Sequence, residues 1–235
     1  MTVLGIETAT ERLSAALLVP NNMIYECHES SRSSHCELLT QFIFDLINEA
    51  DIYIDQIDCI AVSIGPGSFT GLRIGIATGM GLAYGLGIPV IGVNTLMGLA
   101  LDMAEPGKLV CPVIDAKRSE LYTSLYRITD TIPQTLIEPM TVPITQLAEI
   151  LAGIKEHILI TGPATRSTND ILKGNLRRQV SFVPHDSGFP TAQSIAKLGR
   201  TLYQAGSGIE PGLLKPIYLR RSDAEIARDT RCSHL

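Results

Sequence analysis

Apolar positions fall in short blocks separated by polar turns. Residues 3–9 (VLGIETA) and 13–19 (LSAALLV) are nearly continuous apolar runs, and 23–29 alternates. Breaks at polar 10–12 and at Pro20-Asn21-Asn22 predict three short strands in a meander. The period then changes. Over 35–50, Leu38, Leu39, Phe42, Ile43, Leu46 and Ile47 recur at helical spacing, with Ser34 placed to cap the start. Residues 57–64 read as a buried strand and 65–71 as a glycine loop. A helix over 72–86, a strand over 89–93 and a short helix over 95–104 follow.

A second set begins at residue 109. Residues 109–115 and 120–128 predict a hairpin through the polar turn 116–119. Pro133, Pro139 and Pro143 predict extended or irregular chain over 129–145. Helices are expected over 144–154, 167–176 and 191–205, and strands over 157–161 and 180–184. The pattern is α/β, in two units of similar order, 1–104 and 105–235. The late helix, about 191–206, would pack back on the first unit.

Charge divides at the same place. Residues 1–104 hold 3 basic and 11 acidic side chains, and no lysine precedes Lys108. Residues 105–235 hold 16 basic and 13 acidic ones. An acidic, lysine-free half is a poor grip for a phosphate backbone. The basic side chains of the second half (Lys117, Arg118, Arg166, Lys173, Arg177, Arg178) read as a solvated face that could touch RNA only inside a complex. At 235 residues and 45% hydrophobic the chain can bury a proper core. No apolar run reaches the roughly 18 residues of a membrane span. The start lacks a basic leader and acidic Glu7 follows at once, so a cytoplasmic protein is expected.

Cys27, Cys36, Cys59, Cys111 and Cys232 contain no CxxC pair and read as reduced, buried thiols. His28 and His35 stand seven apart without a second ligand on the same face, so no metal site is expected.

The densest stretch is Gly65-Pro66-Gly67-Ser68-Phe69-Thr70-Gly71-Leu72-Arg73-Ile74-Gly75. A phosphate loop of the GxxxxGK[ST] type needs a lysine that is absent, and Thr70 stands where GxGxxG needs its third glycine. Gly71, Gly75, Gly79 and Ala83 recur every four residues, a helix side without side chains. Each mid-helix glycine costs about 1 kcal/mol against alanine, so something must approach closely. Spacing alone leaves open whether that is the chain's own core or a partner's helix. Arg73 is equally open: it would bridge an acid of a partner or tie down its own loop.

The run SIGPGSFTGLRIGIATGMGLAYGLGIPVIGVNTL resembles the signature of the TsaB (YeaZ) family. So do Gly5-Ile6-Glu7-Thr8, Ser34-His35-Cys36-Glu37-Leu38-Leu39, the hairpin from Asp115 to Tyr122, and Tyr218-Leu219-Arg220. The resemblance implies an actin-like ATPase (ribonuclease H-like) fold, two related subdomains each with a mixed sheet flanked by helices. It implies a non-catalytic scaffold for the threonylcarbamoyl modification of tRNA adenosine. The partner would be the catalytic relative TsaD, with TsaE in a larger complex, and the same helices would also serve a homodimer. No cofactor would be held tightly, since ATP and Mg belong to the partner subunits, and tRNA would be met only through the complex.

TsaD's helical HxxxH metal motif is not kept: four residues after His35 stands Leu39. The interface expected from helices 35–50 and 72–86 comprises His35, Glu37, Leu38, Leu39, Phe42, Gly71, Arg73, Gly75, Gly79 and Ala83. Gly75→Leu or Gly79→Leu should then keep the fold and lose the partner. Glu7, Thr8, Gly65, Gly67 and Ser68 are candidates for a vestigial nucleotide loop, and no catalytic residue is assigned. The alternatives are an ATPase or kinase of the same fold with Glu7 as base and, more remotely, a metalloprotease-like protein.

Overall fold

Strands β1 (Val3–Glu7), β2 (Arg12–Leu18) and β3 (Ile24–Ser30) make an antiparallel meander. Strand β4 (Cys59–Gly65) joins β1 in parallel and β5 (Val90–Asn94) joins β4, giving the order β3-β2-β1-β4-β5. Parallel neighbours need crossovers, supplied by α1 (His35–Glu49) and α2 (Phe69–Leu86). Both helices cover one face, where Leu39, Ile43, Leu46, Leu72 and Ile76 pack on Leu4, Ile6, Leu13 and Val62. The computed structural model describes residues 1–30, 35–103, 105–176, 179–184 and 187–220, without the side chains of 35 and 36. The Ser34 cap, the His35 side chain, Cys36, Arg177, Arg178 and Cys232 lie outside the described residues.

The second sheet repeats the first. Strands β6 (Leu109–Lys117), β7 (Glu120–Arg127), β8 (Gln134–Pro143), β9 (Ile158–Thr161) and β10 (Val180–Phe182) run in the order β10-β9-β6-β7-β8. Here too the first strand pairs antiparallel with the second and parallel with the fourth. Helices α4 (Ile144–Ala152) and α5 (Thr165–Leu176) enclose one face with Leu121, Leu125, Ile158 and Ile160.

Strand β8 resolves the extended or irregular chain expected over 129–145 as extended. Its prolines are tolerated because it is an edge strand, paired with β7 alone and broken by register shifts.

The face of the first sheet opposite α1 and α2 is covered from far along the chain. Ile195, Ala196 and Leu198 of α6 (Ala192–Gln204) pack on Val3, Ala61, Ile91 and Val93. A Cβ at Gly5 would come within 2.9 Å of Ala196, so only glycine admits α6 at this distance. Helix α3 (Thr95–Leu101), capped by Asn94 through bonds to the Leu96 and Met97 amides, buries Leu96 and Leu99 against Val110, Ile114 and Tyr126 of the second sheet.

The chain after α6 ties the halves together. Ile209 bridges to Val90, and the Ile217 amide donates to the Ile64 carbonyl at 2.7 Å. Arg220 donates to the Ala116 carbonyl and lies 4.0 Å from Glu120 on the β6–β7 hairpin. Among the described residues, no helix is long and apolar enough to cross a membrane.

Candidate functional site

Helix α2 starts where Ser68 accepts a bond from the Gly71 amide at 3.2 Å and stops at Gly87, which is left-handed at φ 68. Its glycine stripe faces inward. An added Cβ on Gly71 would overlap the Thr8 carbonyl oxygen, one on Gly75 the Thr8 hydroxyl, and one on Gly79 would lie 2.6 Å from Val62. Ala83 is buried in the same core. The close neighbour that repays these glycines is therefore the chain's own β1 and β4. This corrects the assignment of Gly71, Gly75, Gly79 and Ala83 to a partner face. The expected Gly75→Leu and Gly79→Leu phenotype falls with it, because either leucine would be driven into the core.

On α1, Leu39 is fully buried, and Leu38 and Phe42 are half-buried against the same core, so they too are spent on the fold. Glu37 is exposed. Arg73 is exposed yet engaged: its guanidinium lies 3.8 Å from the Phe69 ring centre and its Nε donates to the Tyr218 hydroxyl at 3.3 Å. The Phe69 and Tyr218 rings are 5.0 Å apart. Arg73 thus ties down its own loop and the C-terminal strap.

The outward surface of these two helices is a different set. On α1 Phe44 is 61% exposed beside Gln41, Asp45 and Asn48, and on α2 Tyr84 is 65% exposed beside Ala77 and Gly81. Nothing lies within 4 Å of a Cβ on Gly81 or Gly85. Ala77, Gly81 and Gly85 form a second stripe four residues apart, on the other side of α2 from the first. Sequence reasoning passed over it because the inner stripe was in clearer register with the glycine loop. Phe44 was missed because it falls between the positions of α1's apolar stripe.

The loop candidates converge at the ends of β1 and β4, but their polar groups turn inward. The Gly65 amide donates to Thr95 Oγ1 at 3.2 Å and the Ser68 amide to the Ala9 carbonyl at 2.7 Å. Gly67 packs on Ala9, where a Cβ would come within 2.7 Å of the alanine's own. The Ala9 amide donates to Glu7 Oε1 at 2.6 Å. The Ala9, Gly65, Ser68 and Gly71 amides are therefore already bonded within the chain and are not free to cradle a phosphate.

Glu7 itself is fully buried, and Oε2 has no hydrogen-bond partner, nor do the Thr8 and Ser63 hydroxyls. Burial pushes the Glu7 carboxyl up to about 7, the Ala9 amide and the nearby Ser63 hydroxyl pull it partly back, and the charge of Asp102 raises it. The Ser63 hydroxyl is near enough to act on Glu7 without making a bond of standard geometry. Among the described residues, no three His, Cys, Asp or Glu side chains are grouped to hold a metal ion.

A family model described as "TsaD: tRNA N6-adenosine threonylcarbamoyltransferase" matches residues 28–228. The chain belongs to the TsaB (YeaZ) family of TsaD-related proteins. It is 28% identical over 225 residues to the Bacillus subtilis tRNA threonylcarbamoyladenosine biosynthesis protein TsaB, covering 96% of each chain. Among solved structures it is similar to YeaZ from Pseudomonas aeruginosa, with a TM-score of 0.80, 25% identity, and coverage of 93% of this chain and 99% of that one. A ROK hexokinase from Thermus thermophilus shares the fold alone, with a TM-score of 0.50, 12% identity, and coverage of 84% of this chain and 99% of that one. The doubled β3-β2-β1-β4-β5 topology is the actin-like ATPase fold.

Proposed function

We propose that the chain is a non-catalytic subunit in forming the threonylcarbamoyl group on tRNA adenosine, and that it docks a TsaD subunit on the outer face of α1 and α2. The observation that carries the reading is Gly81, an exposed mid-helix glycine with nothing within 4 Å of its Cβ position. The fold gives this costly residue no return, whereas a partner helix lying close over Ala77 and Gly81 would. Exposed Phe44 and Tyr84 supply the apolar anchors that interfaces favour. In this reading TsaE joins a larger assembly, ATP and Mg are handled by the partner subunits, and tRNA is reached through the complex. A second copy of the chain would compete for the same face.

The test is Gly81→Leu, with Tyr84→Ala beside it, in co-elution with TsaD. Both variants should keep the wild-type circular dichroism, Gly81→Leu should unfold at or above the wild-type midpoint and Tyr84→Ala near it, and both should lose most of the complex. Full co-elution of Gly81→Leu would remove the proposed face. A second reading, an ATPase or kinase, is favoured only by the buried Glu7 carboxyl beside the glycine loop. Calorimetry with Mg-ATP decides it, since tight binding with turnover would replace the subunit reading.

A further inference from the structure

The first turn of α6 is held by its own cap, Thr191, and by side chains from three other places in the chain. Its amides are accounted for in full: Ala192 donates to Ser14 Oγ at 2.8 Å, Gln193 to Glu26 Oε1 at 3.0 Å, and Ser194 to the Thr191 hydroxyl at 3.2 Å. The Thr191 amide and hydroxyl donate to Asp102 at 3.1 and 2.8 Å, and the Ser194 hydroxyl donates to the same carboxylate. Asp102 terminates α3, so one carboxylate joins two helices 89 residues apart in sequence. Strand alternation puts Glu7 on the α6 side of β1, because Val3 packs on α6 and Gly5 touches Ala192 and Ala196. Glu7 is therefore a second carboxyl under the same helix end, fully buried and with Oε2 unpartnered.

We propose that Glu7 and Asp102 form a proton-dependent latch: the first turn of α6 stays seated while Glu7 is neutral and loosens when Glu7 ionises beside charged Asp102. A buried carboxylate with one oxygen unbonded is poorly tolerated, and a neighbouring negative charge makes it worse. Both carboxyls are pushed up to about 7, mainly by burial, which places the change near neutrality. Asp102 keeps the charge because three donors converge on it, whereas Glu7 has only the Ala9 amide and the weak influence of Ser63.

Among the described residues, the other charged groups near this end do not supply the missing counter-charge. On β2 Arg12 lies 5.8 Å from the Phe189 ring centre, and its buried Nε is unpartnered. On β3 Glu26 is bonded to α6 and His28 pairs across from Ser14. Glu11 is exposed in the β1–β2 turn. α6 carries no charge before Lys197, α3 none before Asp102, and the second sheet offers α3 the buried Tyr126.

The test is amide hydrogen exchange of residues 192–194 between pH 6 and 9, corrected for intrinsic rates, in the wild type and in Glu7→Gln. The wild type should lose at least tenfold protection across that range, while Glu7→Gln, a neutral isostere, should stay flat. Carboxyl carbon NMR of the unmodified protein is the second measurement and should show one of the two acids titrating near neutrality. The latch is overturned if protection in the wild type does not change, if Glu7→Gln retains the same dependence, or if both carboxyls titrate below pH 5.

Discussion

Replacing Gly71 by alanine tests whether the inner stripe of α2 belongs to the core. The new Cβ would overlap the Thr8 carbonyl oxygen, inside the 3.0 Å that real Cβ contacts essentially never breach. The obstacle is backbone, so no rotamer change relieves it; α2 or the β1–β2 turn must shift. Overpacking of this kind costs about 1–3 kcal/mol, and the helix gains about 1 kcal/mol from alanine's better propensity. The expected balance is a loss of up to about 2 kcal/mol, toward the upper end because the overlap is with backbone, or up to roughly 8 °C in Tm at this chain length. Gly75→Ala should cost less, since it meets the Thr8 side chain and not a main-chain atom.

Gly81→Ala is the matched control. It lies mid-helix on the open side, with nothing within 4 Å, so only the propensity gain of about 1 kcal/mol remains. Urea unfolding followed by circular dichroism should move the two midpoints in opposite directions. The reasoning fails if Gly71→Ala unfolds at the wild-type midpoint, above all if it also loses TsaD. The inner stripe would then be an external surface, and the close approach to β1 would not exist.

Two further measurements bear on the polar groups. The folded Glu7 carboxyl holds its proton to about pH 7 against an ordinary value of 4.5, so the folded state binds more protons between those values and stability falls as pH rises through them. Taken alone the group costs about 3 kcal/mol above neutrality, so Glu7→Gln should raise the urea midpoint at pH 8 and lose that advantage near pH 4. Asn94→Ala removes the side chain that accepts from two amides of α3 and should cost about 1 kcal/mol at every pH, read in the same unfolding assay.

The strand and helix order was legible because most elements carry their own period. The α1 stripe at Leu38, Leu39, Phe42, Ile43, Leu46 and Ile47 and the apolar blocks of β1, β2 and β4 reappear in the structure as the two sides of one core. β8 was legible only as extended or irregular chain, because prolines forbid a central strand and do not forbid an edge strand, which spares them from the ladder. The site was legible only in part. Helix spacing says that Gly71, Gly75 and Gly79 share a side, but which side faces the sheet is decided by where Thr8 and Val62 arrive, and no local pattern carries that. The bonds from Asp102 to Thr191 and Ser194 join residues about 90 apart and are invisible to any window of sequence.

The two halves share a corner as well as a topology, and the difference between the corners links the outer face of α2 to the rest of the molecule. Each fourth strand ends in Gly-Pro with the glycine left-handed or beyond, Gly65 at φ 115 and Gly162 at φ 125. In the second half that glycine closes on Val113 of its own sheet. In the first half the space is filled by the Ile217 carbonyl of the strap, with the Ile217 amide bonded to Ile64. One residue on, Tyr218 stacks with Phe69 and accepts from Arg73 in the first turns of α2, and Arg220 holds the β6–β7 hairpin through Ala116. A subunit seated on α2 therefore presses on a helix whose start is tied by Tyr218 to a strap that reaches the second sheet two residues on, at Arg220. Movement of that start has to carry Tyr218 with it, so the face proposed for docking and the relation between the halves are parts of one mechanical unit.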